Sequence, residues 1–185
     1  PAVGDVNGDG WLDVFGGGCC GATETWDDGR SQFYPAVDTL WISDGQGGFI
    51  DTRQKFDVLG TNAIALGDLD GDNDLDAFFA NHSSLVGNAD NLERLQANTI
   101  WFNDGQGVFN MSLQVFGEAM SFSIVLGDLD SDSDLDALVG NEQEDEIWLN
   151  QGGRQGGEEG LFLLAGSFWS SALTRALYLT DFNDD

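Results

Sequence analysis

The feature that most constrains the fold of this chain is a short, carboxylate-rich loop that recurs along its length. Loop 1 spans residues 5–13, loop 2 spans 68–76 and loop 3 spans 128–136. Asp or Asn occupies positions 1, 3, 5 and 9 of every copy, so the side-chain oxygens of one loop can converge on one point. Because two carboxylates about 4 Å apart repel each other by roughly 4 kcal/mol at an effective dielectric constant near 20, such a cluster indicates a bound cation.

The residue types in these loops favour calcium. Oxygen donors without His or Cys select calcium or magnesium, and a flexible cage of six to eight oxygens favours calcium. The loops are not EF-hands, because loop position 12 is Gly16, Phe79 or Val139 instead of the bidentate Glu. The carboxylate at position 9 is expected to close the site. Position 7 is expected to contribute its backbone carbonyl, so its side chain can vary.

Position 6 of the loop is predicted to need a left-handed backbone. It is Gly10 in loop 1, Asn73 in loop 2 and Ser133 in loop 3. Gly and Asn tolerate that conformation better than Ser, so loop 3 is expected to be slightly strained. The simplest alternative is that these Asp-, Asn- and Gly-rich stretches are only turns. Three copies in the same register argue against it.

The loops belong to a longer repeat of about 60 residues. An apolar run follows each loop, and a second run follows around Trp41, Trp101 and Trp148, in two copies ahead of an Asp-Gly-Gln-Gly turn. Short apolar runs bounded by Gly, Asn and Asp predict strands joined by tight turns. About four strands per repeat predict an all-β fold, built from the four-stranded antiparallel blades of a β-propeller. The three Trp residues are expected to pack between blades.

The repeat divides the chain into three units and the start of a fourth. The predicted bounds are about 1–61 for repeat 1, 62–121 for repeat 2, 122–175 for repeat 3 and 176–185 for the start of repeat 4. Within repeat 2 the strands are predicted at about 62–67, 75–81, 98–103 and 107–116. Three blades cannot close a ring, so the chain is expected to be part of a six- to eight-bladed propeller. The alternative is a ring assembled from several short chains.

The pattern Gly-Asp-[Leu/Val]-[Asp/Asn]-x-Asp-x-x-Leu-Asp, with a later Asp-Gly-x-Gly-x-Phe, resembles the FG-GAP (VCBS-type) repeat. Repeats of this family build the propeller of integrin α-subunits and occur in many secreted microbial proteins. The resemblance implies one calcium ion (Ca²⁺) per complete loop, between the first two strands of a blade. The ligands implied by the resemblance are Asp5, Asn7, Asp9 and Asp13; Asp68, Asp70, Asp72 and Asp76; and Asp128, Asp130, Asp132 and Asp136. The position 7 residues expected to add a backbone carbonyl are Trp11, Asp74 and Asp134. A fourth copy begins near the end of the chain, with Asp181, Asn183 and Asp185 as candidates.

The chain is strongly acidic. It has 33 Asp and Glu against 6 Lys and Arg, and a formal net charge of −27. This charge disfavours binding to nucleic acid or to an anionic membrane, and a solvated acidic surface explains it most simply. No membrane span is visible in the sequence. Cys19 and Cys20 are expected to be reduced or a loop feature, because adjacent Cα atoms lie about 3.8 Å apart, below the usual disulfide range.

The predicted function is a non-catalytic interaction or adhesion module for an extracellular protein or a glycan. Modest-affinity calcium sites fill outside the cell, which favours an extracellular or cell-surface location. The inserts 19–38 and 82–97 are predicted to lie on the face opposite the calcium loops, and long loops on a rigid scaffold usually carry binding residues. Their candidate partner-binding residues are Trp26, Arg30, Tyr34, His82 and Arg94.

The alternative function is the scaffold or catalytic part of a secreted carbohydrate-active enzyme, such as a polysaccharide lyase or hydrolase. Catalysis needs a positioned acid, base or nucleophile. The only His is His82, and the clustered carboxylates are already assigned to metal. The run of Glu142, Glu144 and Glu146 is interpreted as solvated surface. The enzyme hypothesis is therefore the weaker one.

Overall fold

The computed structural model shows a chain made of β-strands and the loops between them. It describes residues 1–18, 22–27, 30–34, 37–56, 60–81, 97–114, 116–117, 119–152, 157–169 and 173–180. The strands are β1 (Ala2–Gly4), β2 (Asp13–Gly16), β3 (Ala22–Thr25), β4 (Ser31–Tyr34), β5 (Thr39–Ser43), β6 (Phe49–Asp51), β7 (Thr61–Gly67), β8 (Asp76–Asn81), β9 (Thr99–Asn103), β10 (Phe109–Met111), β11 (Ser121–Gly127), β12 (Asp136–Asn141), β13 (Glu144–Asn150) and β14 (Phe162–Trp169). These ranges contain no helix, which confirms the all-β prediction. Accordingly, the described part of the chain has no helix of the kind that crosses a membrane.

The strands form three four-stranded antiparallel sheets and one separate hairpin. The first sheet has the order β1-β2-β5-β6, the second β7-β8-β9-β10 and the third β11-β12-β13-β14. The hairpin consists of β3 and β4, in the insert between β2 and β5. In each sheet, every strand pairs with the next strand of its own repeat, which is the arrangement that four strands per repeat predicts.

The strands of the second sheet lie close to their predicted places, except the last. β10 covers only Phe109–Met111 of the predicted 107–116. Gly107 belongs to the preceding turn, with a φ of +80°. Beyond Met111, Gln114 bonds to the third sheet: its Oε1 accepts from the Phe162 amide at 3.0 Å, and its Nε2 donates to the Phe162 carbonyl. The end of this segment is therefore drawn towards the neighbouring repeat.

Two apolar clusters hold neighbouring sheets together. The cluster between the first and second sheets includes Phe15, Leu40, Phe56, Phe79, Trp101 and Phe109. The cluster between the second and third sheets includes Phe78, Ile100, Phe116, Val139, Trp148 and Phe162. Phe78 and Phe79 are consecutive in β8 and point to opposite faces, so the second sheet is buried on both sides. Trp101 and Trp148 are 7% and 8% exposed, as expected for packing residues, whereas Trp41 on the outer face of the first sheet is 38% exposed.

The first strands of neighbouring sheets lie side by side, β7 between β1 and β11. Each ends in a Gly that lets the next repeat approach closely. A Cβ atom on Gly67 would lie 3.1 Å from Leu126 Cδ1 of β11, and one on Gly127 would lie 2.7 Å from Leu179 Cδ1. The segment 173–180 therefore packs on β11 in the way that β11 packs on β7.

Candidate metal centre

Each carboxylate-rich loop connects the first two strands of its sheet. Loop 1 joins β1 to β2, loop 2 joins β7 to β8 and loop 3 joins β11 to β12. The Asp at loop position 9 is the first residue of the second strand, where pairing with the first strand fixes its backbone. Its side chain is buried in all three copies, at 1% exposure for Asp13 and 0% for Asp76 and Asp136.

Both oxygens of the position 9 carboxylate accept a backbone hydrogen bond. One accepts from the amide at loop position 2, which belongs to Val6, Leu69 or Leu129, at 3.0, 2.8 and 2.7 Å respectively. The other accepts from the last residue of the third strand, which is Ser43, Asn103 or Asn150, at 2.8, 2.8 and 2.9 Å. The position 9 carboxylate therefore fixes the loop to the third strand of its own sheet.

The position 1 carboxylate holds the turn of the loop. It accepts from the position 6 amide in every copy: Gly10 to Asp5 at 2.7 Å, Asn73 to Asp68 at 3.0 Å, and Ser133 to Asp128 at 3.1 Å. Its second oxygen accepts from a nearer amide, at position 5 in loops 1 and 3 and at position 4 in loop 2. These backbone bonds fix the orientation of the position 1 carboxylate in the turn.

The loops need left-handed backbone at two positions. At position 6 the φ angles of Gly10, Asn73 and Ser133 are +87°, +72° and +86°, which confirms the predicted conformation and places Ser in an unfavourable region in loop 3. Position 4 is also left-handed, with φ of +70° at Gly8, +78° at Gly71 and +66° at Ser131. The sequence analysis missed this second position, although Gly in two of the three copies was a signal for it.

Two of the three loops bring carboxylates together in the same way. One oxygen each from Asp68, Asp70 and Asp76 lie within 4.8 Å of one another, and so do those of Asp128, Asp130 and Asp136. These are positions 1, 3 and 9, spaced so that one cation could contact all three. Within the described residues loop 1 forms no such triad of acids, because Asn7 occupies position 3.

The remaining predicted positions have other roles in the turn. The position 5 residues Asp9, Asp72 and Asp132 lie outside the triads, and each accepts from the amide of position 7 at 2.8, 2.9 and 3.1 Å respectively. The position 7 residues are Trp11, Asp74 and Asp134. That their backbone carbonyls bind the metal ion remains a prediction.

The electrostatics of loops 2 and 3 fit a cation. Burial raises the pKa of Asp76 to about 7. Burial, followed by the neighbouring Asp132, raises the pKa of Asp134 to about 7 as well. Burial and then the charge of Asp72 raise the pKa of Asp70, whose Oδ1 is buried without a hydrogen-bond partner. A cation between these groups would offset both the burial and the repulsion, and oxygen donors alone suit a hard ion such as calcium.

The position 7 side chains cover the Asp-Gly turns of the same sheets. Trp11 is 54% exposed and lies over Gly45, where a Cβ atom would come 2.7 Å from the indole Nε1. Asp74 lies over Gly105 in the equivalent place of the second sheet. The carboxylate-rich loops and the Asp-Gly turns therefore share one face, as their places between antiparallel strands require.

The predicted partner-binding residues are only partly described. Trp26 and Arg30 lie in the turn between β3 and β4, where the Arg30 guanidinium stacks 5.5 Å from the indole centroid of Trp26. Trp26 is 40% exposed, and its amide donates to the Arg30 carbonyl at 2.9 Å. Tyr34 ends β4, paired with Ala22. Outside the described residues lie His82, Arg94, Cys19, Cys20, Asp181, Asn183 and Asp185.

Sequence reasoning missed the polar residues that join one repeat to the next. At the metal-loop face these are Asn103 and Asn150, both buried at the ends of third strands. At the opposite face, buried Asp38 accepts from the Gly18 amide at 2.6 Å and from the Thr61 hydroxyl at 2.7 Å. Their recurrence at the same place in successive repeats was the available signal.

Comparison with known proteins does not assign the site. No family model matches the chain, and no curated protein sequence matches it either. The assignment therefore depends on the residues of the loops and on their geometry.

Proposed function

We propose that this chain is a calcium-binding interaction module of the FG-GAP (VCBS) type, non-catalytic and extracellular. The observation that carries the proposal is the repeated acid triad, Asp68-Asp70-Asp76 in loop 2 and Asp128-Asp130-Asp136 in loop 3. Two sheets place the same three oxygens within reach of one cation, in loops that contain no Lys or Arg. The loops contain no nitrogen or sulfur ligand, which favours calcium over zinc or copper.

The module is proposed to be part of a β-propeller of six to eight blades. Successive sheets pack through the same positions, and the outer face of the first sheet repeats that surface without a cover among the described residues. Phe49 there is 49% exposed, whereas the corresponding Phe109 in the second sheet is 4% exposed. Val3 and Trp41 add to this apolar face at 58% and 38% exposure. A further blade would bury it as the first sheet buries Trp101 and Phe109.

Titration with calcium tests the metal-binding proposal. Melting temperature and bound ions are followed together, and the melting temperature is expected to rise until one ion is bound per complete loop. Asp130→Ala should remove one ion, because Asp130 belongs to the triad of loop 3. Asp51→Ala is the matched control, an exposed carboxylate outside the loops, and should leave the stoichiometry unchanged. If no calcium binds, the metal-binding proposal is wrong and the loops are simple turns.

The binding face is proposed to be the one opposite the calcium loops, where the β3–β4 hairpin presents Trp26 and Arg30. An exposed aromatic ring beside a guanidinium suits contact with a protein or a glycan. Binding to a panel of glycans and extracellular matrix proteins should weaken on Trp26→Ala. It should survive Trp11→Ala, which removes a more exposed Trp from the calcium face. Equal losses in both variants, or in neither, would contradict the choice of face.

A further inference from the structure

Asn103 joins two calcium loops that belong to different repeats. Its backbone amide donates to Asp76 Oδ1 of loop 2 at 2.8 Å. Its side-chain Nδ2 donates to the Val6 carbonyl of loop 1 at 2.7 Å and to the Leu75 carbonyl at 3.2 Å. Its Oδ1 accepts from the Gly107 amide at 3.1 Å, so both N–H donors and the oxygen of the side-chain amide are engaged. Asn103 is 4% exposed, so these bonds are shielded from water.

Asn150 repeats the arrangement one sheet further along. Its amide donates to Asp136 of loop 3 at 2.9 Å, and its Nδ2 donates to the Leu69 carbonyl of loop 2 at 2.9 Å. Its Oδ1 accepts from the Gly160 amide at 3.0 Å. The same residue type therefore makes the same set of bonds at both junctions between sheets.

These bonds connect the position 9 carboxylates of the three loops. Val6, whose carbonyl is held by Asn103, donates its own amide to Asp13 at 3.0 Å. Leu69, whose carbonyl is held by Asn150, donates its amide to Asp76 at 2.8 Å. A continuous, buried path thus runs from Asp136 to Asp76 and on to Asp13. Each junction has one Asn side chain and one position 2 residue, which bonds through both its amide and its carbonyl.

We propose that Asn103 and Asn150 are positioning residues that couple neighbouring calcium sites, so that an ion in one loop favours binding in the next. A cation held by Asp76 fixes the end of β9 through the Asn103 amide. The Asn103 side chain then fixes Val6 and, through it, Asp13. The inference rests on the proposed calcium function. Loop 1 ends the path, because Ser43 has the place of Asn103 and only its backbone amide bonds to Asp13.

The test reads out loop 1 alone in the full chain. Trp11 at loop position 7 lies beside the predicted ion, so excitation of its indole should sensitise terbium bound in loop 1, and competition with calcium then gives the affinity of that loop. Trp11→Phe should remove the signal and so assigns it. Asp70→Ala removes a ligand from loop 2 without removing any bond of the path. The apparent affinity of loop 1 should fall about fivefold or more in this variant.

The coupling should disappear when the Asn side chain is removed. Asn103→Ser copies the residue of the first repeat and keeps every ligand. It is expected to weaken loop 1 about fivefold or more and to make the added effect of Asp70→Ala negligible. Asn62→Ser is the matched control, because the Asn62 side chain also bonds to the next repeat, donating to the Ser121 carbonyl at 2.8 Å. Asn62 lies near the start of β7, whereas loop 2 follows the end of that strand. Asn62→Ser should leave loop 1 unchanged.

The outcomes separate the two proposals. No terbium or calcium binding in the unmodified chain would overturn the calcium function. Full binding with additive effects of Asn103→Ser and Asp70→Ala would overturn the coupling alone. An equal loss in Asn62→Ser would also overturn it, since general loosening between repeats would then suffice. Asn103→Ser keeps the ligands, so a shallower calcium-binding curve in this variant tests the coupling even if Asp70→Ala does not fold.

Discussion

Loops 1 and 3 share one hydrogen-bond framework but differ in what stabilises it. Loop 1 has Gly8 and Gly10 at its left-handed positions, where Gly carries no steric penalty. Its Asn7 donates from Nδ2 to Asp9 Oδ2 at 3.0 Å, so a neutral amide already satisfies one carboxylate. Loop 1 is therefore favoured by its own sequence, with or without a cation.

Loop 3 has neither advantage. Ser131 and Ser133 take the left-handed positions, and a carboxylate replaces the Asn at position 3. Burial raises the pKa of Asp130 and of Asp136, and neighbouring carboxylates raise both further. A strained backbone and clustered carboxylates, of which Asp136 is buried, both oppose the fold of this loop. The comparison teaches that one pattern of Asp residues supports either a loop favoured by its own sequence or one that we propose depends on a bound metal.

Calcium removal should give the largest difference between the loops. If each proposed site binds calcium, it would stabilise the folded state by about 2.7 kcal/mol at a calcium concentration one hundred times its dissociation constant. Chelation is expected to lower the melting temperature, and amide hydrogen exchange should rise far more in loop 3 than in loop 1. Equal exchange in the two loops would contradict the comparison.

Removal of a position 9 carboxylate should be the next largest effect. Asp136→Ala leaves the amides of Leu129 and Asn150 without an acceptor in a buried place. Each unsatisfied group costs about 1–3 kcal/mol, which chemical denaturation of the variant would measure. Asp13→Ala should cost a similar amount in metal-free protein, because Asp13 has two equivalent bonds. With calcium present, the loss of stability relative to the unmodified chain should become much larger for Asp136→Ala in loop 3. For Asp13→Ala in loop 1 it should change little.

The pH dependence of the metal-free protein should come from loops 2 and 3. Burial raises the pKa of Asp76 and of Asp134 to about 7 in the folded state, against about 3.9 for an unfolded Asp. The folded state then binds more protons than the unfolded state between these values, so stability is greatest below pH 4 and falls as the pH rises through 7. Melting temperatures in chelator should be higher at pH 5 than at pH 8. Calcium should reverse this order, because protons compete with it.

The sequence predicts what is local and leaves out what joins one repeat to another. The strands and the left-handed Ser133 follow from short-range rules of turns and alternation. The bonds from Asn103 to Val6 and from Gln114 to Phe162 do not, because they need the relative placement of two repeats. A short polar residue after a strand predicts a turn. The sequence does not show whether its side chain bonds within that turn or to the neighbouring repeat. Repetition of the residue type is the only local clue.

Relief of backbone strain should have a smaller effect. A left-handed Ser costs about 1–2 kcal/mol, and the greater freedom of Gly in the unfolded chain takes back about half of that gain. Ser131→Gly and Ser133→Gly should each stabilise the metal-free protein by about 0.5–1 kcal/mol in denaturant melts. Gly10→Ser is the reciprocal control in loop 1, where a Cβ atom would meet no atom within 4 Å. It should destabilise by a similar amount, through backbone strain alone.

The most specific test exchanges the residue at position 3 of loop 1. Asn7→Asp removes the donor that satisfies Asp9 and adds a fourth carboxylate to the loop. Metal-free protein should lose up to about 1 kcal/mol, because like charges then meet at a partly exposed site. Calcium should bind loop 1 more tightly, because the number of charged ligands tunes affinity, and loop 1 is predicted to be the weakest site in the unmodified chain. Opposite signs for the two measurements distinguish a metal loop from a turn, since a turn would be destabilised by the same substitution with or without calcium.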